Sequence, residues 1–331
     1  MKLSHVFRTV VCMMVIVGFP MESTAQTREK GDWWPHPIWG ADDQAGGSNW
    51  ITAEKIVRAV QLVKTGKVYE VGQVYERGMP LFPGRTYSMF IPGSPTDGPF
   101  GDNGLVYHDE VLTAEIGQVG TQFDGPGHIG IRTKMADGSQ QDLFYNGTPT
   151  TEMAGPYGLE KMGIENVKPY LTRGILIDIA GQKGVDALDH SYEVTVADVK
   201  AALKRQGMDE DTIEDGDAIF FRYGWSKYWT DAEKYNTDPP GIGLEVAAWV
   251  IEQNASMWGS DQWNGEVSPN PDEKLAFPVH TELICKAGIW NLENMIFDEL
   301  SEDEVYEFLF VFTPIRFKGG TGSPGRPLAI H

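Results

Sequence analysis

The spacing of apolar positions changes several times along the chain, and each change predicts an element. From Thr52 to Lys64 the spacing is helical: Ile56, Val57, Val60 and Val63 share a face, Thr52 offers an N-cap and Gly66 a stop. Thr195 opens a second helix with Val196, Val199 and Leu203 on its apolar side, and Leu244 to Gln253 reads as a third. Between them lie short, nearly continuous apolar runs: Gly174 to Ile179, Asp217 to Tyr223, Met257 to Asp261 and Glu307 to Pro314. Such runs predict strands covered on both faces. Val111 to Phe123 reads as a strand broken by Gly117 and Gly120, and His280 to Ala287 as a short helix before Gly288. Residues 76–105 are dense in Gly and Pro and read as a long functional loop. Residues 26–50 carry Trp33, Trp34, Trp39 and Trp50, an aromatic content that predicts an ordered extended segment. Strands and helices mix without strict alternation, so the expected class is mixed α/β or α+β around a mixed sheet. No repeat or linker divides residues 26–331, which predicts a single domain.

The first 25 residues stand apart from this pattern. Lys2 and Arg8 precede an apolar run from Val10 to Phe19, too short to span a bilayer, and Ser23, Thr24 and Ala25 are small residues of the kind found at a cleavage site. A cleaved signal peptide over 1–25 and a secreted or periplasmic mature chain are expected. The formal net charge of −20 argues against nucleic acid and anionic membrane as partners. Cys285 is the only cysteine after residue 25, so no intrachain disulfide is expected there, and a lone Cys is more often a small core residue than a nucleophile. Asn146-Gly-Thr148 and Asn254-Ala-Ser256 fit the glycosylation pattern, which matters only on a eukaryotic secretory route.

The chemistry concentrates in Gln118-Val-Gly-Thr-Gln122-Phe-Asp124-Gly-Pro-Gly-His128. In an extended backbone Gln118, Gln122 and Asp124 share a face, and the Gly-Pro-Gly turn lets His128 fold back toward Asp124. Converging polar groups of this kind suit a metal or an acid/base site; a surface turn explains the spacing equally well.

The segment resembles the motif H-x-G-T-H-x-D-x-P-x-H of the cyclase / kynurenine formamidase family, which includes isatin hydrolase-like enzymes. Gly120, Thr121, Asp124, Pro126 and His128 match it, and Gln118 and Gln122 stand where the family has His. Downstream, His280 and Glu293 resemble the family's later His and Glu. Trp39-Gly-Ala-Asp42-Asp43-Gln44 with Asn49, and Gly319 to Pro324, are further matches, so the resemblance covers nearly all of the chain after residue 25. It implies a cyclase-like swivelling β/β/α fold, assembly as dimers or tetramers, and a metal-dependent hydrolase of small amides, imides or lactones, with arylformamides among its substrates. Carried over by position, Asp124, His280 and Glu293 would hold one divalent ion. Gln122, and more distantly Gln118, would add an amide oxygen, or Gln122 a donor behind the ligands. Such an oxygen-rich set suits Mn²⁺ or Mg²⁺, with Zn²⁺ also compatible. His128 would act as acid/base.

Other residues have weaker claims. Tyr223, Trp225, Tyr228 and Trp229 follow a core strand and can wall an apolar pocket or fill the core. Asp261 ends a strand, where it is either an active-site acid or a turn cap. Arg222 and Arg316 can bind a substrate carboxylate or form structural ion pairs. His108-Asp109-Glu110 reads as a solvated loop, His36, His190 and His331 have no evident partner, and Ser323 lacks the setting of a serine nucleophile. A second class of function keeps the fold without the hydrolysis: an exported small-molecule binder or a metal-independent lyase. Geometry separates the two, because ligand bonds of about 2.0–2.6 Å require Asp124, His280 and Glu293 to converge.

Overall fold

The computed structural model describes residues 30–331, so the signal-peptide expectation for 1–25 lies outside the described residues. Gly31–His331 forms one compact unit. Its main sheet has nine strands. In chain order they are β1 (Val68–Glu70), β2 (Gln122–Asp124), β3 (Tyr170–Asp178), β4 (Ala218–Arg222), β5 (Met257–Ser260), β6 (Trp290–Glu293), β7 (Glu307–Phe312), β8 (Gly322–Pro324) and β9 (Leu328–Ile330). Across the sheet the order is β1-β9-β7-β3-β4-β5-β6-β2-β8. The run β3-β4-β5-β6 is parallel. The strands flanking it pair antiparallel. The class is therefore mixed α/β, with the mixed sheet that the sequence implies.

The continuously apolar strands are explained by the two cores on opposite faces of the sheet. Along β3, Ile175 and Ile177 enter one core and Leu176 the other. Along β4, Ile219 and Phe221 alternate with Ala218 and Phe220 in the same way. Phe220 and Phe221 are fully buried, and each such side chain stabilises the fold by about 1.5–3 kcal/mol relative to exposure.

Helix α2 (Val196–Arg205) links β3 to β4 and begins with a capping box: Thr195 accepts from Asp198 N–H, and Asp198 accepts from Thr195 N–H. Its Val199 and Leu203 are buried as expected, whereas Val196 is only partly covered. Helix α3 (Leu244–Glu252) links β4 to β5. Helix α1 (Ala53–Val60) is capped by Thr52 but buries Lys55 and Ala59. Val57 and Val60, expected on the buried face, are exposed. The helix turns its small Ala59 toward β3 and β7, and Lys55 passes inward to pair with the buried Asp217. A specific ion pair overrides the valine periodicity.

The Gly/Pro-rich segment 76–105 is not a structureless loop. Tyr87–Phe90 pairs with Val111–Ala114, and Asp97–Phe100 with Leu105–Tyr107, in two antiparallel ribbons. The expected helix at 280–287 is Pro278–His280 followed by a π-helical turn, Thr281–Lys286. β6, missed by the hydrophobic pattern, occupies Trp290–Glu293.

Candidate active site

The site is built where β2 meets β6. Side chains alternate faces along a strand, so Gln122 and Asp124 share a face, as do Asn291 and Glu293. The antiparallel register sets Asn291 opposite Asp124 and Glu293 opposite Gln122. Four polar side chains thus form one buried patch, while Phe123 and Leu292 between them point into the core on the other side. The pairing is made directly: Gln122 Nε2 donates to Glu293 Oε2 at 2.7 Å, and Asn291 Nδ2 to Glu293 Oε1 at 2.7 Å.

Two loops complete the cluster. The turn after β2, in which His128 N–H donates to Gly125 O, brings His128 Nε2 to 3.7 Å from Asp124 Oδ2. The Pro278–His280 turn places His280 Nε2 3.2 Å from Glu293 Oε1 and 4.0 Å from Asp124 Oδ2. One potential ligand atom from each of Asp124, His280 and Glu293 lies within 4.8 Å of the others. The wide separation that would rule out a shared ion is not found.

Glu266 aligns this arrangement and was not evident from the sequence. It is buried, its Oε1 lies 2.5 Å from His280 Nδ1, and its carboxylate accepts the backbone N–H groups of Val279 and His280 at 3.1 Å each. The imidazole is thereby turned so that Nε2 faces the cluster, as a buried carboxylate does for many metal-binding histidines. Glu266 lies in a Gly/Pro-rich stretch without periodicity, so only the fold brings it to His280. Asn291 would have been legible from its i, i+2 relation to Glu293 had β6 been recognised.

The electrostatics follow from burial among like charges. Burial opposes charge on His280, but hydrogen bonds and charges from Glu266 and Glu293 outweigh it and carry its pKa up to about 10. Burial, then the charge of Asp124, push Glu293 up to about 7 against the pull of His280. Burial also holds His128 below the usual histidine value, with Asp124 opposing and His280 and Arg85 reinforcing the shift. Three carboxylates therefore share one buried region with one charged imidazole. Asp124 Oδ1 and Asn291 Oδ1 are buried and accept no hydrogen bond. Surplus negative charge beside spare oxygen acceptors is what a divalent cation neutralises, and the residues present fit one. A cavity of about 110 Å³ opens onto Asp124, His280 and Glu293, walled by Phe82, Trp263, Phe277 and Ile129 with Arg85 and Asn264.

The remaining expectations resolve as follows. Gln118 does not share the strand face: Gly120 adopts φ +64°, which breaks the extended backbone, and Gln118 lies in the turn before it. Its buried side-chain amide makes no hydrogen bond. Tyr223, Trp225, Asp261 and Arg222 do not line the cavity. Tyr223 donates to Gly265 O and Trp225 Nε1 to Tyr235 O, both from full burial. Asp261 accepts the N–H groups of Tyr223, Gly224 and Trp225, so it caps the turn. Arg222 is held by Asp178 and Asp298 at 3.0 and 2.8 Å. Arg316 is exposed, His108-Asp109-Glu110 is an exposed loop, and Cys285 is buried in the core. Ser323 lies in β8 and is buried. His36 N–H donates to Asn146, and His190 contacts Thr237 O. Asn146 is buried, which removes it as a glycan acceptor. Asp43 instead anchors the N-terminal segment, accepting from Gly46 N–H, Asn49 and the Tyr145 hydroxyl.

The fold and site define a mixed α/β protein with a buried carboxylate–imidazole cluster suited to a divalent cation. The Cyclase family model matches residues 3–267, and the chain belongs to that family. The crystal structure of a novel cyclase is 30% identical to it, covers 88% of this chain and 98% of its own, and superposes with a TM-score of 0.76. Isatin hydrolase A from Ralstonia solanacearum shares the fold at 20% identity, with 80% and 92% coverage and a TM-score of 0.59. So does an isatin hydrolase bound to the product analogue thioisatinate, at 18% identity, 84% and 98% coverage and a TM-score of 0.55. No curated protein matches the sequence.

Proposed function

We propose that the protein is a metal-dependent hydrolase that opens amide, imide or lactone bonds in small, cyclic or linear substrates, arylformamides included. The observation that carries this reading is the convergence of Asp124, His280 and Glu293 beside His128, at the floor of an apolar-walled cavity. Asp124, His280 and Glu293 would hold one divalent ion, Mn²⁺ or Zn²⁺ with Mg²⁺ also compatible, and Gln122, in the same cavity lining, donates to Glu293 and steadies it. When bound, the ion supplies Lewis acidity toward the scissile carbonyl and activates water for attack.

The chain's own groups do the rest. Burial keeps His128 neutral near pH 7, so its Nε2 can take the proton of the attacking water and return it to the leaving nitrogen or oxygen. Phe82, Trp263 and Phe277 pack ring against ring at the mouth of the cavity and offer apolar faces to a flat ring. The family membership and the isatin hydrolases sharing the fold support the hydrolytic reading. Export through a signal peptide over 1–25 and assembly as a homo-oligomer belong to the same proposal. The exposed Met89, Phe90, Val106 and Leu112 on the paired ribbons support assembly.

The test is elemental analysis of purified protein followed by a hydrolysis screen of arylformamides, cyclic imides and lactones. About one divalent ion per chain, with turnover that falls about 10²- to 10⁴-fold in His128→Ala while ion content holds, is the expected result. Absence of ion uptake on reconstitution would move the protein to the binder or lyase class.

A further inference from the structure

The cavity has a second polar wall, opposite in character to the first. Gln262 Nε2 lies 3.1 Å from Pro240 O and 3.1 Å from Glu266 O, and backbone carbonyls only accept. That fixes the Gln262 amide with nitrogen on this side, and its Oε1 accepts Asn264 N–H at 2.7 Å. The same nitrogen also lies 2.8 Å from Asn264 Oδ1. Gln262 Nε2 has two hydrogens for these three oxygens and shares one between two of them; an oxygen of Asn264 suits that place better than a second donor would, which leaves Nδ2 on the other branch of the Asn264 amide. This N–H₂ group is buried, belongs to a cavity-lining residue and has no acceptor. The indole Nε1 of Trp263, also in the cavity wall, lacks an acceptor too. Trp229 and Trp258 Nε1 also lack acceptors, but only Trp263 and Asn264 belong to the cavity lining, where an incoming oxygen can relieve the cost of a buried, unpartnered donor.

We infer that Asn264 is a catalytic residue that donates from Nδ2 to the carbonyl oxygen of the substrate as that oxygen gains negative charge. The inference rests on the hydrolase reading and specifies within it which side of the cavity receives the carbonyl. The spare acceptors lie on β2 and β6, on the side that would hold a cation, and the spare donor belongs to the 262–266 segment, on the side that would receive the oxyanion. Gln262 acts behind it as a positioning residue. A donor held in advance at such an oxygen is worth about 10²- to 10³-fold in kcat.

The experiment compares wild type, Asn264→Ala and Asn264→Asp, the last keeping the oxygen that Gln262 requires. Benzoate affinity of the Mn²⁺-loaded proteins is measured by calorimetry, together with Mn content, melting temperature and, on any substrate the wild type hydrolyses, kcat and KM. Expected are a benzoate affinity at least tenfold weaker in both variants, unchanged Mn content, an unchanged or higher melting temperature, and a loss confined to kcat. Should Asn264→Ala fail to fold, Asn264→Asp decides. Wild-type protein that does not bind benzoate, or variants that bind it as wild type does, overturn the assignment. A wild type that hydrolyses nothing, yet binds benzoate in an Asn264-dependent way, defeats the hydrolase reading and leaves the carbonyl-oxygen site standing.

Discussion

Replacing Asp124 with Asn should leave the ion-free fold nearly as stable as wild type while removing its response to cations. Asp124 Oδ2 lies 4.0 Å from His280 Nε2, worth about 4 kcal/mol of attraction to the imidazolium at an effective dielectric near 20. The ligand oxygen of Glu293 lies within 4.8 Å, worth at least about 3.5 kcal/mol of repulsion on the same scale. The two nearly cancel, so the melting temperature without ions should move by no more than about 3 °C. A cation at a hundred times its dissociation constant adds about 3 kcal/mol to the wild type. In a domain of this size that is a rise of roughly 4–8 °C. Thermal denaturation after chelation, then with Mn²⁺, Zn²⁺ or Mg²⁺ restored singly, measures both quantities. A rise of equal size in Asp124→Asn, or none in wild type with any of the three ions, would refute the assignment of Asp124 as a ligand.

Two further predictions concern the frame around the site. Asp217→Asn leaves Lys55, which is 3% exposed, with only the half-exposed Glu214 at 3.3 Å, and weakens Arg173, whose Nε lies 3.0 Å from Asp217 Oδ2. Urea denaturation should show a loss of about 3–5 kcal/mol, and a loss below about 1 kcal/mol would mean that water reaches the pair. Asp198→Asn breaks the capping box of α2 and should cost about 1–2 kcal/mol at neutral pH. Burial opposes the charge of Asp198, but hydrogen bonds from Lys183, Thr195 and Tyr192 win and hold its pKa below the usual value. Its contribution is therefore present above about pH 4 and fades as pH falls through the lowered value, so the difference from wild type should shrink at pH 3. A difference that stays constant with pH would assign the effect to shape alone.

Periodicity, glycine placement and residue chemistry already determined much of this protein. The apolar runs at 174–179, 217–223, 257–261 and 307–314 read as two-faced strands because they are short and rich in β-branched and aromatic residues, where a buried helix would run longer. Asp124, Pro126 and His128 were legible as a turn with chemistry, and His280 with Glu293 as its partners, through resemblance to the cyclase family. What the chain order could not express was contact across the sheet. Whether Glu293 would meet Gln122 depended on β6 pairing antiparallel with β2 in one register, and a slip of β6 by one residue would turn Glu293 into the core and leave Gln122 without it. Val57 and Val60 follow helical spacing yet face solvent, because Lys55 found a buried carboxylate 162 residues away. Asp261 and Arg222 had the chemistry of site residues but were claimed by backbone N–H groups and by Asp178 and Asp298. Glu266 and Asn264 carried no local signal at all. Their roles arise because tertiary structure decides which polar groups find partners and which are left to meet a ligand.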